Sequence, residues 1–432
     1  MRTAIALSGG GTKGSYELGV WKALKEIGVE YDIVTGTSIG SINGALMVTK
    51  DYERAYRLWD TITMEDMMED GINLTATIEG MYDQKDAIRP FLKKYVKNKG
   101  ADISPFTAFI EELIDEDAIR EADIDFGLVT VQFPSLKACE LTKQDIPKGM
   151  LKDYILASAA IFPLFPMHKI DDTMYVDGCY HDNLPIDLAL RMGAKRVIAV
   201  DLHTSPAHRS YANRPYVTYI KPSRSLGTMM NFDHELLMEN ARMGYQDTMK
   251  LYGRYEGYQY TFYEKETVKL ELQIEQFLSY IARLDLYITD ELPAKKIAKN
   301  GDFNRIHTLL FAHTGGNKMT EWQYFVRAAE ISGAIFDMDV RPVYQMSEYL
   351  VLLQQKIGEY EASEEVAQIL EKSGVELAGA LASMKMNNRK PLISAGIYYA
   401  FMKQELPPKV WGALLTLFPE ELTAALLLLS LR

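Results

Sequence analysis

Residues 3–48 narrow the folds open to this chain more than any other stretch. The apolar run Thr3–Leu7 leads into Gly9-Gly10-Gly11-Thr12-Lys13-Gly14, and helical spacing follows over Gly14–Ile27, with Leu18, Trp21, Ala23 and Leu24 available for burial. A second apolar run, Tyr31–Val34, ends in Gly36-Thr37-Ser38-Ile39-Gly40, where another helix starts and continues to Val48. Strand, turn, helix, strand, sharp turn, helix predicts parallel strands joined by crossover helices. Both glycine turns then lie at the C-terminal edge of adjacent strands.

The strand series continues at Gly127–Gln132 and Arg196–Asp201 and closes near Tyr216–Ile220. Lys50–Arg120 reads as a charged, mainly helical cap or outer layer. Phe232–Tyr252 reads as one long helix, with Leu236, Leu237, Ala241, Met243 and Tyr245 on or near its apolar face. Beyond Arg254 strand signals fade and helical patterns run to the C-terminus, most clearly over Glu264–Leu286 and Ser347–Leu370. The expected division is an α/β domain over residues 1–254 and a mainly helical domain over residues 255–432.

Composition excludes some partners. The formal charge of −12 argues against a nucleic-acid backbone and against simple electrostatic attraction to anionic bilayers, so membrane contact would have to be apolar or local. Two cysteines, Cys139 and Cys179, are too few for a disulfide framework and suit a reducing cytoplasm. No signal-peptide core precedes the glycines, so export by that route is not expected. No run reaches the roughly 18 apolar residues of a spanning helix. The nearest, Leu422–Leu431, is expected to dock on the core, the alternative being an interfacial or oligomer contact.

The first glycine turn satisfies G-x-G-x-x-G through Gly9, Gly11 and Gly14, so its bare N–H groups could hold a dinucleotide pyrophosphate or a charge that exists only during a reaction. A dinucleotide site needs an acid at the C-terminal end of the second strand, whereas Glu30 and Asp32 stand at its start. Gly14 is followed by Ser15-Tyr16, which also fails the phosphate-binding Lys-Ser/Thr pattern. The second turn, Gly36-Thr37-Ser38-Ile39-Gly40, is a G-x-S-x-G between a strand and a helix. Small residues there allow a sharp bend that exposes the serine hydroxyl at a helix N-terminus. Ser38 is therefore a candidate nucleophile.

A serine nucleophile needs a base. His168, His181, His203 and His208 follow the elbow, but none sits in a recognisable motif. The sharper candidate is Asp177 in Tyr175-Val176-Asp177-Gly178-Cys179, a short strand followed by the turn and helix start Asn183-Leu184-Pro185. A partly desolvated carboxylate held against the serine can take its proton.

Four blocks now stand in order: Gly9–Gly14, Gly36–Gly40, Ala157-Ser158-Ala159-Ala160-Ile161-Phe162-Pro163, and Asp177-Gly178 with Asn183 and Pro185. Together, over roughly residues 1–205, they resemble the patatin-like phospholipase family. The resemblance implies a three-layer α/β/α core with a mostly parallel central sheet. It also implies a Ser38–Asp177 dyad, with no histidine, metal or cofactor, that releases fatty acids from lipid esters through an acyl-enzyme. On this reading the amides of Gly10 and Gly11 stabilise the oxyanion. Gly9, Thr12, Lys13, Gly14, Gly36, Gly40 and Gly178 supply the supporting turns. Two positions depart from the family's usual pattern: Lys13 stands where arginine is frequent, and Cys179 where glycine or alanine is usual. The rival expectation is a lipid-binding scaffold, with the C-terminal region making oligomer or protein contacts.

Overall fold

The computed structural model describes residues 1–68, 102–206, 208–264, 267–291, 305–311, 319–372, 374–385, 389–403, 406 and 408–432. The chain forms two compact units, Met1–Tyr252 and Gly253–Arg432.

The first unit is built on an eight-stranded sheet. Its strands are β1 (Thr3–Leu7), β2 (Ile33–Thr37), β3 (Asp125–Phe133), β4 (Lys137–Thr142), β5 (His168–Ile170), β6 (Thr173–Asp177), β7 (Arg196–Val200) and β8 (Val217–Ile220). Strands β3, β2, β1, β7 and β8 are neighbours in that order and all parallel. Strands β4 and β6 both pair with β3 in the antiparallel sense, and β5 pairs antiparallel with β6. The mostly parallel sheet expected from the sequence is present. Its antiparallel edge comes from two hairpins that the apolar runs did not signal.

Alternation along the central strands explains the layers. Ile5, Leu7, Val34, Ile198 and Val200 enter one core, while Ala4, Ala6, Ile33, Val197 and Ala199 enter another on the opposite face. A strand buried on both faces must be apolar at every position, which is how β1 and β7 read. The first face is covered by helices α1 (Ser15–Ile27), α2 (Ile39–Val48), α3 (Tyr52–Thr61), α4 (Ser104–Leu113), α5 (Glu116–Glu121) and α6 (Leu151–Ser158). The second is covered by α7 (Ile186–Arg191), through Ile186 and Ala189. Helix starts follow local chemistry: Asp51 caps α3 by accepting from the Arg54 N–H, and Asp115 caps α5 by accepting from the Ala118 N–H. Of the expected charged cap, residues 69–101 lie outside the described residues.

The long helix expected over Phe232–Tyr252 is α8 (His234–Leu251), capped by Asp233. Its contact with α1 is closer than apolar spacing suggests. A Cβ on Gly19 of α1 would lie 1.7 Å from the Ala241 carbonyl oxygen, and one on Gly244 of α8 would lie 2.0 Å from that of Tyr16. The two backbones touch there.

The second unit is mainly helical, with a two-stranded parallel ladder, Thr261–Phe262 against Val343–Tyr344. Thr267–Glu291 is a single helix, but the pattern over Ser347–Leu370 divides into Met346–Gly358 and Glu364–Leu370. The division falls where Ser363 accepts a hydrogen bond from the Val366 N–H and starts a new helix. Leu422, Leu426, Leu427 and Leu428 of Pro419–Leu429 are fully buried in this unit's core. Among the described residues no single helix is long and apolar enough to cross a membrane. Val410–Leu417 and Pro419–Leu429 reach that length only as a pair bent by 119°.

Candidate active site

The elbow at Ser38 is shaped by backbone that leaves no room for side chains. A Cβ on Gly36 would lie 2.1 Å from the Gly40 carbonyl oxygen, and one on Gly40 would lie 2.6 Å from that of Leu7. Between them Ser38 takes φ 55° and ψ −126°, a conformation that residues with a side chain avoid, at a cost of roughly 1–3 kcal/mol. Three hydrogen bonds hold it there. The Ser38 N–H donates to Ser158 Oγ at 2.9 Å, and the Ser41 N–H and hydroxyl both donate to the Ser38 carbonyl, at 2.8 and 2.7 Å. Ser158 in turn donates to the Val129 carbonyl at 2.7 Å.

Sheet register brings Asp177 to the same place. Thr37, the last residue of β2, stands opposite Val129 of β3, and Asp177, the last residue of β6, stands opposite Thr130. Strand β4 pairs with Gly127–Gln132 and occupies the other edge of β3, so β2 and β6 approach head-on along one edge. Their ends abut, which sets the Asp177 carboxylate beside the Ser38 side chain. Asp177 is 1% exposed. Its N–H donates to the Ala160 carbonyl at 2.9 Å, and its Oδ1 accepts the Cys179 N–H at 2.8 Å. Burial pushes the carboxyl up to about 6, against the pull of the hydrogen bonds from Cys179 and Ser38. The half-buried Cys179 thiol is pushed up by burial and by the charge of Asp177, so at neutral pH it is a thiol and a poor nucleophile.

The first glycine loop lies against the elbow. A Cβ on Gly9 would be 3.1 Å from that of Ser38. The Gly9 N–H donates to the Asn183 carbonyl at 3.0 Å, and the Thr12 N–H donates to the Met229 carbonyl at 3.0 Å. Asn183 Nδ2 also donates to Ser8 Oγ and to the Gly9 carbonyl, at 3.0 and 3.1 Å. These contacts fix the loop while leaving the amides of Gly10 and Gly11 with no acceptor among the described residues. Lys13 and Gly14 close the loop as a single 3-10 turn with Gly11 and Thr12. Glu30 pairs with Lys50 and Asp32 accepts the Thr3 N–H, both at the far end of β2 from this loop. The acid that a dinucleotide would need is therefore not beside it.

The histidines are occupied elsewhere: His168 with Asp153, His181 with Glu140, His203 with Asp201 and His208 with Asp182. Among the described residues no cluster of three or more histidine, cysteine, aspartate or glutamate side chains is arranged to hold a metal.

Ser38 opens into an apolar cleft of about 50 Å³. Gly11, Thr12, Ile39, Ile42, Trp59, Phe106, Ile161, Phe165, Met229 and Phe232 are among the residues that line it. A hydroxyl, an adjacent buried carboxylate, two uncommitted amides and an apolar slot together suit acyl transfer from an ester with a hydrocarbon tail. Sequence reasoning gave no part to Ser158, Met229 or Ser41. Ser158 lay within a recognised block, but its bond to the Ser38 amide spans distant segments. Met229 acts through its carbonyl, which no side-chain pattern reveals.

Residues 5–190 match the family model described as patatin-like phospholipase. Over 206 residues the chain is 32% identical to patatin-like phospholipase domain-containing protein 6 of Homo sapiens, covering 46% of this chain and 13% of that protein. It is 27% identical over 198 residues to lysophospholipase NTE1 of Candida albicans, again covering 46% of this chain and 13% of that protein. The chain thus spans a small fraction of the length of these curated relatives. Among solved structures, VipD from Legionella pneumophila aligns with TM-score 0.40 and 14% identity, covering 98% of this chain and 91% of that one. The match to the patatin-like phospholipase family model falls on the segment that carries both glycine turns, the elbow serine and Asp177.

Proposed function

We propose that the chain is a serine acyl hydrolase that cleaves fatty-acyl esters of phospholipids or lysophospholipids through an acyl-enzyme. The observation that carries this reading is the strained Ser38 elbow set beside the buried Asp177 carboxylate and lining an apolar cleft.

In this mechanism the acyl chain enters the cleft and its carbonyl carbon lies over Ser38 Oγ. Asp177, ionised, accepts the hydroxyl proton as Oγ attacks. The carbonyl oxygen becomes an oxyanion facing the amides of Gly10 and Gly11, donors already fixed before reaction. Collapse expels the alcohol, which takes the proton from Asp177. A water then gives its proton to Asp177 and attacks the acyl-enzyme, and a second collapse returns that proton to Ser38 Oγ and releases the fatty acid. The similarity to proteins named phospholipase and lysophospholipase supports lipid esters as the substrate class. The test is release of fatty acid from phosphatidylcholine, lysophosphatidylcholine and triglyceride, with covalent labelling of Ser38 by a fluorophosphonate. Hydrolysis and labelling, both absent from Ser38→Ala, are expected. Lipid binding without labelling would instead favour a scaffold.

A further inference from the structure

Beneath the glycine loop lies a carboxyl group that the mechanism does not use. Glu17, on the first turn of α1, is 2% exposed. Its Oε2 accepts from Asn43 Nδ2 at 2.7 Å, and the same amide nitrogen donates to the Gly14 carbonyl at 3.0 Å. Asn43 Oδ1 accepts the Trp59 indole N–H at 3.1 Å. One side-chain network therefore joins Glu17 to the last residue of the loop and to a wall of the cleft. Glu17 Oε1 has no hydrogen-bond partner among the described residues. No cation pairs with this carboxyl among the described residues.

An unpaired carboxylate is strongly disfavoured at such a depth. We propose that Glu17 is a positioning residue for the glycine loop that works as the neutral acid. Uncharged, it braces the loop through Asn43; ionised, it places a fixed negative charge behind amides that must hold an oxyanion. This inference rests on the acyl-hydrolase reading of Ser38. It extends that reading by adding an alkaline limit to the activity.

Burial pushes the Glu17 carboxyl up to about 8, opposed by the hydrogen bond from Asn43 and by the nearby Ser8 amide. Neighbouring elements bring few titratable groups to it. Helix α2 and strand β1 carry none. Lys13 of the loop, Asp60 of α3 and Asp247 of α8 do not contribute to the shift; Asp60 is held by His234, and Asp247 by Lys250 and the Tyr16 hydroxyl.

The experiment measures kcat/KM for a soluble ester, and the rate of Ser38 labelling by a fluorophosphonate, against pH in wild type, Glu17→Gln and Ser38→Ala. Wild type should lose about tenfold in both as the pH rises through about 8. Glu17→Gln, isosteric and unable to ionise, should keep the neutral-range rate and lose that decline. Infrared spectra of wild type should also show a protonated carboxyl band below that pH that disappears above it and is absent from Glu17→Gln, a readout that needs no catalysis. An unchanged alkaline decline in folded Glu17→Gln, or no such band in wild type, overturns the inference and leaves the acyl-hydrolase reading intact. If wild type neither hydrolyses the ester nor labels at any pH, the acyl-hydrolase reading fails and this inference fails with it.

Discussion

The Ser38 N–H donates to Ser158 Oγ at 2.9 Å, so the conformation of the elbow is held by a side chain from a helix far along the chain. Ser158→Ala leaves that amide and the Val129 carbonyl unpaired in a buried setting. The loss in stability should be about 1–3 kcal/mol, read as a lower Tm. Because Ser38 Oγ is mispositioned while the cleft is unchanged, kcat should fall by about tenfold or more with KM little altered. Full steady-state kinetics on a short-chain ester separate the two effects.

Asp177 links activity to stability in opposite directions. Its carboxyl is raised from 3.8 to about 6 in the folded chain, so the proton binds more tightly there than in the unfolded chain. The stabilisation from the protonated form is complete below about 4 and is lost as the pH rises through about 6. Asp177→Asn should therefore melt higher than wild type above pH 6, and the gap should close on acidification. Hydrolysis should drop by about 10³-fold. In wild type, kcat/KM should fall as the pH is lowered through about 6, where the base becomes protonated. Paired melting and pH–rate curves test both statements.

The cleft should set chain-length preference. Ile161 is half-buried at its wall, so Ile161→Trp narrows the slot without filling a closed core. Long-chain esters should lose at least about tenfold in kcat/KM, and acetyl or butyryl esters should change little. A series of p-nitrophenyl esters of increasing length gives the comparison.

The crossing of α1 and α8 tolerates no added atoms. Gly19→Ala sets a methyl group 1.7 Å from the Ala241 carbonyl, and the helices must part to relieve it. A loss of roughly 3 kcal/mol is expected, on the order of 10 °C in Tm. Thermal unfolding of the variant is the measurement.

The parts of this fold written in local pattern were legible, and the parts set by long-range pairing were not. Thr3–Leu7, Arg196–Val200 and the intervening glycine turns announce parallel strands because both faces of each strand are buried. The direction of β6 is different: it follows from the β5–β6 hairpin, which contributes only His168–Ile170 before the turn and leaves too short an apolar run to read. At the site, Ser38 and Asp177 stood out because a sharp turn and an Asp-Gly need particular residues locally. Ser158, Asn183 and Met229 act on backbone groups of distant segments, and spacing carries no trace of that. On α8, Leu237 and Met243 enter the core as the spacing suggested, but the close approach at Gly244 sets bare backbone against α1, which spacing does not reveal.

The head-on meeting of β2 and β6 on β3 also fixes when the site can exist during synthesis. Ser38 leaves the ribosome early, but Asp177 arrives only after β3 has formed and the β5–β6 hairpin has folded back along the same edge. On the proposed mechanism, a nascent or truncated chain ending before Asp177 holds the nucleophile without its base. On that mechanism, reactivity at Ser38 would therefore report completion of the sheet.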